Sequence, residues 1–299
     1  MLMHLSFAVA ATVLSAAFFV AVKLAVVRGV PWLALWAWSL TTTGLCGAAL
    51  WLALGAPAVP WEWCLLSGLA GGAAHIASNL ALRLGEASVL VPLSGAKPLV
   101  LIPLAPLFGA LLPPATLFAC VLATAGLALV TLTPARTHAN SPRPVTGILL
   151  MLVAMTMMSF SDLCGSVALA HAGPGGRWAV IGFWNLCLGI VPVLCLPVLG
   201  RYSGSVTIGQ AMSAGLIVGV IFAVFIAAIA MAFATAPDPT TAVTTVNVLI
   251  ACRGAIAILM ILALDQVHGR RLEPLPPWIH ALRLAGALVL AGAVALAYG

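Results

Sequence analysis

Charge is what this chain most lacks. Only 6% of its 299 residues are charged, with six Asp and Glu against twelve Lys and Arg. Soluble domains carry roughly 25% charged residues, so this chain cannot cover a water-facing surface. The scarcity also excludes an acidic tail and a basic tract, and with the basic tract it excludes a nucleic-acid-binding surface. CxxC spacing is missing as well: the seven cysteines (Cys46, Cys64, Cys120, Cys164, Cys187, Cys195, Cys252) stand singly in apolar segments. That excludes a disulfide framework and a thiolate metal site, and no cofactor motif appears. Nucleotide loops and nucleophile motifs are equally lacking.

What remains is apolar. Hydrophobic residues make up 64% of the chain and the mean hydropathy is +1.22. A helix crosses about 30 Å of hydrocarbon in roughly 20 residues. Runs of that size predict ten spans: 3–28, 31–54, 61–83, 87–112, 115–134, 146–171, 177–199, 207–235, 240–264 and 277–298. They are too long and continuous for barrel strands, so the expected fold is an all-α integral membrane protein. The first run lacks a basic n-region and exceeds a signal-peptide core, so it is expected to be retained.

The longest polar break before the last hairpin, "TPARTHANSPRP" (133–144), divides the ten spans into five and five. The expected organisation is a first repeat over 1–134, a linker over 135–145 and a second repeat over 146–299. An odd number of spans per half inverts the second half, as in many transporters. Sliding "ASVLVPLSGAK" (87–97) by 156 lays it on "VTTVNVLIACR" (243–253) and puts Lys97 on Arg253. Arg28, Arg83, Arg136, Arg143, Arg201, Arg270 and Arg271 fall on one side of the membrane. Only Arg177 falls on the other, which also holds both termini. By the positive-inside rule the termini are expected outside.

Three stretches carry a family likeness. "FFVAVKLAVVRGVPWLAL" (18–35), "LALRLGEASVLVPLSGAKPLVLIPLAPLFG" (80–109) and the closing pair of helices (240–296) resemble the drug/metabolite transporter superfamily, in its ten-helix EamA-like branch. The chain departs from that pattern at the fifth helix, where Leu112-Pro113-Pro114 stands in place of a frequent Glu. The charge-based orientation also differs from the cytoplasmic termini usual in the family. The resemblance implies metabolite transport across a bacterial inner membrane. It further implies that basic residues on the fourth and ninth helices, here Lys97 and Arg253, contact an anionic substrate group.

The residues themselves point the same way. Lys97, Asp162 and Arg253 lie near midspan, where a charge costs about 2.5–3.5 kcal/mol on insertion scales. One acid cannot neutralise two cations, so one positive charge is left for a ligand. Whether Lys97 or Arg253 pairs with Asp162 is open at this stage. Pro98 beside Lys97 disturbs the preceding turn, and carbonyls freed there can line a cavity.

His75 and Asn79 share a face of span three with Ser78. Trp36 continues a stripe of Trp32, Ser39 and Thr43 on span two, and Ser94 lies in the span of Lys97. Asn185 and Asn247 are buried amides of unassigned partner. The candidate substrate-binding set is therefore Lys97, Arg253, Asp162, His75, Asn79, Trp36 and Ser94.

The expected function is a secondary transporter, not an enzyme. It would carry a small anionic or zwitterionic metabolite by alternating access, with or without a proton or ion gradient. A proton-coupled exporter of cations is the alternative, and a polytopic membrane enzyme a remote one. Expected partners are the substrate and membrane lipids. "SGLAGG" (67–72) fits internal helix packing better than dimerisation, and a homodimer stays open.

Overall fold

The computed structural model describes residues 2–84, 97–131, 144–199, 208–253 and 277–298, with 256, 257, 259, 260 and 263 between the last two stretches. Every element among them is helical. They are α1 (Leu2–Val27), α2 (Trp32–Ala53), α3 (Trp61–Leu84), α4 (Lys97–Leu104), α5 (Pro114–Thr131), α6 (Pro144–Leu199), α7 (Ile208–Ala234), α8 (Pro239–Ala251) and α9 (Pro277–Tyr298). A 3₁₀ turn, Ala105–Phe108, extends α4.

Four stretches are long and apolar enough to cross a membrane: Met3–Val26, Trp32–Ala53, Val145–Leu194 and Gly209–Ala234. Their lipid-side residues, such as Leu45, Leu194 and Leu216, are exposed, which fits a membrane protein and would be unfavourable in water.

The 56 residues of α6 would reach about 80 Å if straight, far beyond one hydrocarbon core. Gly173 breaks the run with φ 63° and ψ −176°, a conformation open to glycine and strained for other residues. The break falls within "AGPGG", so α6 has two limbs, 144–172 and 174–199, where two separate spans are expected from sequence. Of the expected span 87–112, residues 97–108 are helical, and residues 85–96 lie outside the described set.

The two limbs of α6 run against α2 and α3, α7 packs on α1 and α2, and α5 pairs with α9. Without a hydrophobic driving force in lipid, helix pairs depend on small residues that let backbones approach. A Cβ on Gly44 of α2 would lie 2.7 Å from the Cα of Gly189 in the second limb. Any larger residue at that crossing would part the helices. Gly68 and Gly72, from the "SGLAGG" run, face Cys187 and Val191 of the same limb, so this stripe serves packing within the chain.

Candidate functional site: a midspan charge centre

The centre is assembled from three helices. Lys97 stands at the start of α4 as described, Asp162 lies within the first limb of α6, and Asn247 lies on α8. The Lys97 ammonium donates to Asp162 Oδ2 at 2.6 Å. The Asn247 amide uses one N–H on the same Oδ2 at 2.9 Å and the other on the Val243 carbonyl at 2.8 Å. An amide so engaged has a fixed orientation, because both of its hydrogens are committed. The side chains of Lys97 and Asp162 are 16% and 11% exposed, so the pair is largely desolvated without being sealed.

Asp162 is held in place by its neighbour. Ser161 Oγ donates to the Ser67 carbonyl at 2.8 Å, and Ser67 Oγ donates to the Ser161 carbonyl at 2.6 Å. This reciprocal pair ties α3 to α6 one residue from the carboxylate. Hydroxyls in apolar helices ordinarily bond back to their own i−3 or i−4 carbonyl; these two reach across instead.

Arg253 is placed differently. α8 ends at Ala251 with Cys252 as its C-cap, and Arg253 follows directly. Its guanidinium lies over the ring of Phe19 on α1, 4.9 Å from the centroid. The carbonyl end of a helix favours a nearby cation, and so does the face of an aromatic ring.

From Phe19 a row of rings leads to α3. Phe19 meets Phe18 at 5.4 Å, Phe18 meets Phe222 of α7 at 4.9 Å, and Phe222 meets His75 of α3 at 5.3 Å. The row therefore runs from the ring beneath Arg253 to His75 on α3.

The remaining candidates divide. Trp36 is buried in the main core, with its indole N–H lacking a protein partner among the described residues. Its stripe turns toward packing: Ser39 bonds the Trp36 carbonyl at 2.9 Å, and Thr43 bonds those of Ser39 and Gly219. Asn79 lies on α3, and its side chain is outside the described set, as is all of Ser94. Asn247 is the residue that the candidate set omits. Its signal was chemical: a midspan carboxylate needs a donor besides one cation.

α8, which carries Asn247 and leads into Arg253, is fixed at its other end by Asp238. That carboxylate accepts from the Thr240 and Thr241 amides at 3.1 and 3.3 Å and from both hydroxyls, with Pro239 at the first helical position. Partial burial pushes the carboxyl's pKa up, but the bonds from Thr241 and Thr240 outweigh it and hold the pKa below the ordinary value. A cavity of about 350 Å³ opens elsewhere, between the end of α1 and the start of α7. Arg28 lines it and none of the midspan charges does, so it is no part of this centre.

No protein-family model and no curated protein matches the chain. A solved crystal structure is similar over 99% of this chain and 96% of its own, with a TM-score of 0.69 and 19% identity. At that identity the likeness is one of fold.

Proposed function

We propose that the chain is a secondary transporter of the drug/metabolite type, moving a small anionic or zwitterionic metabolite by alternating access through ten spans arranged as two inverted halves. One observation carries the substrate charge. Lys97 is neutralised internally by Asp162, whereas Arg253 meets an aromatic face and, among the described residues, no acid. A cation left over at midspan is tolerated where a ligand completes it.

Support for the repeat comes from contacts that occur in matching pairs. α3 joins the first limb of α6 through Ser67 and Ser161; α7 joins α1 through the Ala232 carbonyl and His4 Nδ1 at 2.6 Å. α3 lays Gly68 on Cys187 of the second limb, and α7 lays Gly215 on Trp38 of α2. α4 meets the first limb through Lys97 and Asp162, and the end of α8 meets α1 through Arg253 and Phe19. If the halves are exchanged, each of these helix pairs has a counterpart, as an inverted repeat would require.

An exporter of cations would need a carboxylate free to receive them. Asp162 is engaged by Lys97 and Asn247 on one oxygen, which favours the anion reading. The test is a thermal-shift screen of purified protein against classes of organic acids, amino acids, phosphorylated metabolites and organic cations. A ligand that binds the native state raises the melting temperature by mass action. Stabilisation by organic cations alone would overturn the proposal. Orientation is tested separately by outside labelling of single cysteines: reaction at residue 140 but not at 299 would reverse the expected topology.

A further inference from the structure

We propose that the groove between the end of α1 and the start of α7 binds an anionic phospholipid, its phosphate at Arg28 and an acyl chain along the helices below. The proposal is separate from the transport reading and holds whatever the chain carries. The two helices run antiparallel: His4 of α1 meets Ala232 of α7, and Phe18 meets Phe222. Near the far end they pack through Val22, Ala25, Ala211 and Val218. Beside that contact lies the cavity of about 350 Å³.

The walls change character with depth. Arg28, Gln210 and Ser213 form the polar lining, gathered where α1 ends and α7 begins. Ala21, Leu24, Ile217 and Val218 line the remainder, and from Arg28 back to Ala21 the helix covers about 10 Å. A phospholipid has the same order, a charged phosphate above hydrocarbon. Water finds few partners in the apolar part, and a soluble anion would leave that part unfilled. The groove also opens sideways: Ile217 is 59% exposed, and its neighbours Met212, Leu216 and Val220 on α7 are exposed apolar residues that suit a lipid-facing surface.

Charge decides the headgroup. The chain's six acids are Glu62, Glu86, Asp162, Asp238, Asp265 and Glu273, so none belongs to 1–61 or 163–237, the stretches that hold both helices of the groove. Arg28 makes no ion pair among the described residues, and Lys23 on the same helix has the same sign. Phosphatidylethanolamine would bring its own ammonium to a place with no carboxylate to receive it. Phosphatidylglycerol brings only the phosphate, which a guanidinium can hold with two parallel bonds. Basic pockets between helices at a membrane face hold anionic headgroups in this way.

The experiment uses the full chain, purified and delipidated in a nonionic detergent. Melting temperature is followed as phosphatidylglycerol, phosphatidylethanolamine with the same acyl chains, or glycerol 3-phosphate is added at equal concentrations. Wild type is compared with Arg28→Gln and Ser213→Phe. Ser213 is exposed on the groove wall, so a ring there fills the mouth while Arg28 and Lys23 stay in place. Wild type should bind phosphatidylglycerol about fivefold tighter than phosphatidylethanolamine, the scale of one basic residue beside an anionic lipid. Glycerol 3-phosphate should give no shift. Arg28→Gln should lose the preference by weakening phosphatidylglycerol alone, and Ser213→Phe should weaken both lipids. Should Ser213→Phe fail to fold, Arg28→Gln, at an exposed position, carries the test. Equal response of wild type to the two lipids, or an unchanged preference in Arg28→Gln, overturns the proposal. So does a folded Ser213→Phe protein that titrates like wild type, since binding then lies elsewhere. A shift by glycerol 3-phosphate equal to that by phosphatidylglycerol would make the ligand a soluble phosphate and overturn the lipid assignment.

Discussion

Lys97 and Arg253 are both cations set in apolar stretches of the sequence, yet their surroundings differ. Lys97 meets a carboxylate on the α6 first limb, and Arg253 meets a phenyl ring on α1. A carboxylate cancels the charge of its partner; a ring attracts a cation by its quadrupole and leaves the charge in place. The comparison teaches that two like charges among apolar helices can be held in two ways: one is neutralised by an acid, and the other keeps its charge against a ring, a charge that the proposed transport reading assigns to a ligand. Arg253 also suits that task chemically, since its planar fork can hold an oxyanion with two bonds while an ammonium acts as a point charge.

The sharpest way to break the comparison is to remove the parked charge. Arg253→Gln should nearly abolish transport of an anionic substrate in reconstituted vesicles, and Arg253→Lys should keep some transport at weaker affinity. Normal transport by Arg253→Gln would mean that the ring-held cation has no part in binding.

The internal pair should answer to a different measurement, stability. Removing one partner of a buried pair strands the other charge and costs about 3–5 kcal/mol. Lys97→Met and Asp162→Asn should each lower the thermal unfolding temperature in detergent. Their combination should restore most of the loss, because no charge is then stranded. Additive losses in the double variant would show that the two residues act independently.

Both regions depend on α8, so a change at its cap should affect them together and less strongly. Asp238→Ala removes the acceptor for two amides and should cost about 1 kcal/mol. The sign with pH follows from the direction of its shift. A carboxyl held below its ordinary value contributes stability that is present above that value. The contribution is lost as pH falls through the lower, folded-state value. Wild type should therefore lose stability in that acid range by more than Asp238→Ala does, as measured by melting temperature at successive pH values. Equal losses would mean that the cap adds nothing.

The helices were legible because lipid allows few ways to satisfy a backbone, so apolar run length nearly dictates them. The break at Gly173 was legible for a related reason, since "AGPGG" offers a turn no continuous helix needs. The scarcity of charge singled out Lys97, Asp162 and Arg253, and counting them showed that one cation would be left over. Which cation that is depends on helix rotation, and composition does not report rotation.

The same limit hid Asn247, whose amide could have faced any neighbour, and Phe19, which in a membrane helix looks like any other apolar residue. The Trp36 stripe has correct helical spacing, but Ser39 and Thr43 spend their hydroxyls on carbonyls of α2 and α7. Spacing identifies a face; it does not say which neighbour that face meets.

The smallest expected effect tests the other half of the comparison, the ring. Phe19 is 43% exposed, so its attraction for Arg253 should lie near the exposed end of the range, about 0.5–1 kcal/mol. Phe19→Leu keeps the residue apolar and removes the quadrupole, and Phe19→Tyr keeps both ring and attraction. In thermal unfolding Phe19→Leu should lose a small amount and Phe19→Tyr almost none. In ligand titration the order should reverse: without a ring holding Arg253, the guanidinium is freer to meet an anion, so affinity should be unchanged or slightly higher while the apo protein is less stable. A marked fall in anion affinity in Phe19→Leu would show that the ring aims Arg253 at its ligand, and the contrast between a neutralised cation and a merely parked one would have to be redrawn.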